Sequence, residues 1–166
     1  MKRIRMALML SFSLMLLFMA GSFQAKAESN MPTRCINVVY DDSTSMYNNG
    51  RDTWCNAKYS MEVFAGMMGE KDTMNVYIMS KSEGDPYLTL KGTDGIKNRV
   101  KEIHDMVPTA GGTPFSTVDR AYRDLVPVTA DEKWLVVLTD GAFSGGGNIN
   151  EYFGGKDPSV KVMFLT

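Results

Sequence analysis

Ile36-Asn37-Val38-Val39-Tyr40-Asp41-Asp42-Ser43-Thr44-Ser45-Met46 is the stretch that decides the fold. A short apolar run stopped by Asp41-Asp42-Ser43 reads as a buried strand that ends in a polar loop. The loop has the spacing D-x-S-x-S. Alternate residues leaving a strand end turn the oxygens of Asp41, Ser43 and Ser45 toward one point. Carboxyl and hydroxyl oxygens suit a hard cation such as Mg²⁺ or Ca²⁺, whereas soft metals want Cys or His.

Downstream the chain alternates between two periods. Ala57, Met61, Phe64, Ala65 and Met68 share one face of a helix that ends at Gly69. Met74–Met79 reads as a second strand. Pro86–Leu90 reads as a short edge strand, because Pro86 can stand only at its start. Ile96, Val100, Ile103 and Val107 mark a second helix, closed by Pro108. Pro114 suits the first position of a third helix with Thr113 as its cap, and Val118, Ala121, Tyr122 and Leu125 form its apolar stripe. Trp134–Leu138 and Val160–Leu165 are two further strands, with a flexible Gly145-Gly146-Gly147 loop between them. Met61, Met67, Met68, Met74 and Met79 fall on buried patterns and read as core fillers. Strands alternating with helices imply an α/β fold: a doubly wound, mainly parallel sheet with helices on both faces. The chain stops on a strand, and a parallel sheet needs its next crossover helix, so the expected domain is truncated after the fifth strand.

Open parallel sheets bind ligands beyond the carboxyl ends of their strands. Three oxygen-rich segments fall there: Asp41–Met46, Gly111-Gly112-Thr113-Pro114-Phe115 and Thr139-Asp140-Gly141. Thr113 can add a hydroxyl to the first loop, and Asp140 a carboxylate, directly or through water. Each segment also has a plainer reading. Asp and Ser after a strand form Asx and Ser turns, Thr113 can cap a helix without a metal, and Thr139-Asp140-Gly141 by itself is a turn. A donor set rich in neutral hydroxyls leaves a cation under-neutralised, and such a cation attracts an acidic group from outside. Binding is therefore as plausible a use as catalysis.

In order and rough spacing, Asp41-Asp42-Ser43-Thr44-Ser45-Met46, Gly112-Thr113-Pro114 and Thr139-Asp140-Gly141 resemble the metal-ion-dependent adhesion site of von Willebrand factor type A domains. The resemblance covers about residues 35–166. It implies a six-stranded doubly wound sheet whose first and fourth strands lie side by side. It further implies a centre for Mg²⁺ (or Mn²⁺ or Ca²⁺) held by Asp41, Ser43, Ser45, Thr113 and Asp140, the last as an outer or water-mediated ligand. The open coordination position would take a Glu or Asp from a protein partner. The chain would then be an adhesion module and not an enzyme, with no catalytic residue. Thr44 stands where the family often has Gly. On this reading Asp41→Ala removes metal-dependent binding and leaves the fold largely intact. Two alternatives remain. One is an exported metal-dependent phosphohydrolase on the same carboxylates, opposed by the absence of a second Asp two residues after Asp41 and of His or Lys near the motifs. The other is a structural domain with an empty site. The Asp41-Asp42 pair also suggests a receiver domain, but no suitable phosphoacceptor Asp stands at the end of the second or the edge strand, and export would separate it from a cytoplasmic kinase.

Composition narrows the setting. The 166 residues carry a formal charge of −1. Met1–Arg5 holds Lys2, Arg3 and Arg5, Met6–Phe18 is nearly all apolar, and Ala25-Lys26-Ala27 is a small-x-small cleavage pattern. Residues 1–27 therefore read as a secretory signal peptide, 28–34 as a lead-in and 35–166 as the domain. Without residues 1–27, 139 residues remain, with 14 Lys and Arg against 19 Asp and Glu, a balance of −5. That sign argues against nucleic acid. The expected location is secreted or extracellular and associated with the cell surface. Membrane association would come only through an anchor outside this chain or an uncleaved signal segment. The single histidine, His104, disfavours a His-rich zinc site or a Ser-His-Asp triad and reads as a surface residue at a helix end. Cys35 opens the first strand and Cys55 opens the first helix, at opposite ends of the sheet. Roughly 20 Å of strand rise separates those ends, against the about 7 Å that a disulfide tolerates, so the two are not expected to bond.

Overall fold

The computed structural model describes residues 31–48, 53–81, 85–141, 143–144, 152–154 and 156–165. The expected signal peptide and the Gly145-Gly146-Gly147 loop lie outside the described residues. In chain order the elements are β1 (Arg34–Tyr40), α1 (Ser45–Asn48), α2 (Thr53–Gly66), β2 (Thr73–Ile78), β3 (Leu88–Lys91), α3 (Ile96–His104), α4 (Phe115–Leu125), β4 (Glu132–Leu138) and β5 (Val160–Leu165). They all belong to one unit, Pro32–Thr166.

The strands form one sheet in the order β3-β2-β1-β4-β5. The pairs β1–β2, β1–β4 and β4–β5 are parallel, and only the edge strand β3 runs antiparallel. The period of two along each strand sorts side chains onto two cores. Val38, Tyr40, Val76, Val136 and Leu138 pack with Met61, Ala65 and Ile103 of α2 and α3. Val39, Tyr77, Leu135 and Val137 pack with Val118, Ala121 and Leu125 of α4 on the other face. The central strands are apolar on both sides because helices cover both sides. The doubly wound architecture and the short edge strand agree with the sequence reading.

Three local expectations fail. Val107 is 69% exposed, because α3 stops at His104 with Asp105 as its C-cap, and the buried place goes to Met106. The i+4 step from Ile103 to Val107 holds only while the helix continues. Met67 is 66% exposed. It lies just past α2 and six residues from Met61, a step of about 240° that leaves the apolar stripe. Pro114 is the N-cap of α4, in extended geometry (φ −72, ψ 129), so Thr113 stands one residue outside the cap position. As expected, no disulfide joins Cys35, buried in β1, to Cys55, exposed in α2, and His104 ends α3 at the surface, 3.0 Å from Glu62.

Candidate metal centre

Strand β1 turns toward β2 on one side and is flanked by β4 on the other. The chain therefore reverses its winding at the β1–β4 pair, the kind of switch point beyond whose carboxyl ends open sheets bind ligands. Tyr40 stands beside Leu138 in register, and the first loop leaves the sheet with Asp41 N–H donating to Leu138 O at 2.8 Å. Three loops meet there: residues 41–45 after β1, 109–114 before α4, and 139–144 after β4.

The loops are tied to one another in a closed triangle. Ser43 makes a parallel bridge with Gly111, and Pro114 makes one with Ser144. The third side is a side-chain bond, Thr139 Oγ1 donating to Asp41 Oδ2 at 2.8 Å. Asp41 is fully buried, and its Oδ1 accepts the Ser43 N–H at 2.9 Å. That contact is an Asx turn, so the plainer reading of the first loop is realised in part. It does not use up the oxygens. Among the described residues each carboxyl oxygen accepts one bond, and each has two lone pairs.

The hydroxyls of Ser43 and Ser45 lie 2.9 Å apart. Two oxygens on adjacent corners of an octahedron with metal–oxygen bonds of 2.0–2.1 Å are separated by about 2.9 Å. The spacing therefore suits a shared hard cation as well as it suits a hydroxyl pair. Among the described residues no three His, Cys, Asp or Glu side chains converge, so a cation here depends on hydroxyl donors. The residues present fit such a group in chemistry: oxygen only, little formal charge, one buried carboxyl behind.

Thr113 is buried in the second loop, with its hydroxyl 3.0 Å from Ser144 Oγ. Ser144 N–H donates to Thr113 Oγ1 at 3.1 Å and to Thr113 O at 3.0 Å. Asp140 is exposed at the start of the third loop. Gly141 follows it with φ 89, a left-handed conformation that suits glycine, and its N–H donates to Thr139 Oγ1 at 3.1 Å. The structure thus sets Asp41 and Ser43 in one loop with Ser45 opening α1 behind them, joins the loop of Thr113 to them through Gly111, and sets Asp140 on the neighbouring strand end.

Sequence reasoning missed Ser144 and the part played by Thr139. Ser144 precedes a glycine run and carries no motif. Thr139 was visible in Thr139-Asp140-Gly141, but that it binds Asp41 follows only from the β1–β4 pairing. Asp41→Ala carries a stability cost beside its expected effect on binding. Truncation would orphan the Ser43 amide and the Thr139 hydroxyl in a buried place, at about 1–3 kcal/mol. An apolar groove of about 220 Å³, lined by Ile36, Phe64, Met68, Trp134, Val136 and Met163, lies toward the strand starts, away from these loops.

No protein-family model and no curated protein matches the chain. Solved structures do. An aerotolerance-related membrane protein from Bacteroides fragilis superposes with a TM-score of 0.57 at 20% identity, over 79% of this chain and 66% of its own. Proximal thread matrix protein 1 from the mussel byssus gives 0.56 at 17%, over 80% of this chain and 37% of its own. The PilB minor pilin from Streptococcus sanguinis gives 0.50 at 16%, over 74% and 36%. The chain spans less than two thirds of each of these proteins. With the strand order and the two helical layers, they show that the chain has the von Willebrand factor A fold.

Proposed function

We propose that the chain is a protein-binding module that holds a divalent cation, Mg²⁺ or Mn²⁺ or Ca²⁺, through Asp41, Ser43, Ser45, Thr113 and Asp140. A cation held mainly by neutral hydroxyls keeps its appetite for negative charge, and the group that satisfies it is a Glu or Asp carboxylate on a partner protein. The observation that carries the reading is the closed triangle of loops, which holds the oxygen donors at the switch point of the sheet. The donors are hydroxyls and carboxyls tied into neighbouring loops, and the role read from them is binding, not catalysis. A surface or extracellular setting is supported by the reading of residues 1–27, and by the minor pilin and byssal thread protein among the structural neighbours. Among the described residues no helix is long and apolar enough to cross a membrane.

Calorimetry on the full chain with Mn²⁺ and then Mg²⁺ tests the proposal. One cation is expected to bind per chain. Ser45→Ala and Thr113→Ala, which each remove one hydroxyl, should weaken it by roughly tenfold, the scale of one lost hydrogen bond or ligand. Asp41→Asn should abolish it, because the amide keeps the shape and removes the charge. Binding that survives Asp41→Asn, or a wild-type chain that gives no heat with either metal, would sink the reading.

A further inference from the structure

One buried carboxyl group has no part in the donor set. Asp42 is as deeply buried as Asp41, yet it sits at an unassigned position of D-x-S-x-S. Its Oδ1 accepts the Ser80 N–H at 3.0 Å. Its Oδ2 accepts the Ser80 hydroxyl at 2.7 Å and also the Thr109 hydroxyl. Its main-chain carbonyl accepts the Gly111 N–H at 3.3 Å. A single residue thus grips the end of β2 with its side chain, and the second loop with both its side chain and its backbone.

The grip falls at a decisive place. Gly111 is the residue that bridges Ser43, and Thr113 is two residues further on. Only a carboxyl group serves the Ser80 N–H and the two hydroxyls as they stand, because both its oxygens accept. An amide would have to turn two hydroxyls around. We propose that Asp42 is a positioning residue for the metal centre: by latching residues 109–111 to the end of β1, it sets where the Thr113 hydroxyl stands relative to Ser43 and Ser45. The inference rests on the reading of those hydroxyls as cation ligands.

The direct variant, Asp42→Ala, strands a buried amide and can fail to fold. Thr109 is exposed, so Thr109→Val releases one strand of the latch at little risk to the fold. Two readouts on the full chain decide the matter: amide hydrogen exchange at Gly111 and Thr113, and the Mn²⁺ dissociation constant. In Thr109→Val, exchange should quicken roughly tenfold and Mn²⁺ should bind about three- to tenfold more weakly, the scale of one hydrogen bond to a carboxyl group. Thr109→Ser should restore both. Met61→Ala, which opens the core under α2, should lower the melting temperature and leave the Mn²⁺ constant alone. Unchanged exchange in Thr109→Val overturns the latch. Loss of Mn²⁺ affinity to the same degree in Met61→Ala overturns positioning in favour of general stability. If the wild-type chain takes up no Mn²⁺, the metal reading fails, and the exchange data still decide whether Asp42 holds the loop.

Discussion

Gly111→Ala is the most demanding substitution the geometry allows near the site. A Cβ built on Gly111 would lie 2.1 Å from Ser80 Cβ, 2.5 Å from Ser80 Oγ and 2.8 Å from Asp42 Oδ2. Carbon atoms in contact prefer about 3.5–4.0 Å, so the shortfall at Ser80 Cβ is about 1.4–1.9 Å. Rotation of the serine side chain brings no relief, because a Cβ moves only with its backbone. That backbone is tied to Asp42 through the Ser80 N–H. Either the second loop or the end of β2 must shift by more than an ångström, and the bonds on Asp42 go with it. Overpacking of this kind costs about 1–3 kcal/mol, and a lost buried bond adds about 1 kcal/mol more. For a unit of this size, a total of about 2–4 kcal/mol lowers the melting temperature by about 6–15 °C. The neighbouring Gly112 is the internal control, since a Cβ there meets nothing within 4 Å. Gly112→Ala should stay within about 0.5 kcal/mol of wild type. Thermal melts of both variants, followed by Mn²⁺ titration of whatever remains folded at 20 °C, test the reasoning. A Gly111→Ala chain that melts within about 2 °C of wild type would refute it, as would a Gly112→Ala chain equally destabilised.

Two further predictions concern the scaffold. Asp72 is almost wholly buried (2% exposed) and is held by the Arg34 guanidinium at 2.5–3.0 Å, by Arg34 N–H at 3.0 Å and by Gly69 N–H at 2.7 Å. Although burial pushes its pKa up, these donors outweigh burial and hold it below the ordinary 3.8. A depressed folded-state pKa contributes stability that is complete above 3.8 and is lost as the pH falls through the folded value. Arg34→Met should therefore cost about 2–3 kcal/mol at pH 7, less than a fully buried pair because Arg34 is 32% exposed. In denaturant melts below pH 4, the variant should also lose less further stability than wild type does; parallel acid limbs would refute the assignment. At the end of α3, Met106→Ala should cost about 2–4 kcal/mol and Val107→Ala less than about 0.5 kcal/mol. Urea melts that reverse this order would restore Val107 to the core.

Much of the fold was legible because it rests on periodicity. Val38, Val39 and Tyr40, or Val136, Val137 and Leu138, are buried on both sides of the sheet and so form runs without polar interruption. Val118, Ala121, Tyr122 and Leu125 repeat at helical spacing, and all four are buried. The failures sit where a period ends. Nothing in Ile103-His104-Asp105-Met106-Val107 announces that the backbone leaves the helix before Val107 and so hands the core position to Met106. Thr113 and Pro114 fail in the same way. Pro114 is acceptable both as a first helical residue and as an extended cap, and pattern alone does not separate the two.

The proposed metal centre was legible only as a set of candidate donors. Asp41, Ser43, Ser45, Thr113 and Asp140 announce themselves by type and by place after a strand or before a helix. What holds them does not. Asp42 and Ser80 are 38 residues apart and Asp42 and Thr109 67 apart. They meet only because β1 and β2 pair in register, so that Tyr40 and Ile78 end side by side. Thr139 reaches Asp41 for the corresponding reason on the β4 side, 98 residues away. The Asp41-Asp42 pair therefore divides its work by the side of the strand on which each carboxyl falls. One faces β4 and the hydroxyl loop, and the other faces β2 and the loop that carries Thr113. The two adjacent acids bond to opposite neighbours, Asp41 to Thr139 and Asp42 to Ser80 and Thr109. Asp42 ties the second loop and the end of β2 to the first loop, and Thr139 on Asp41 ties in the third.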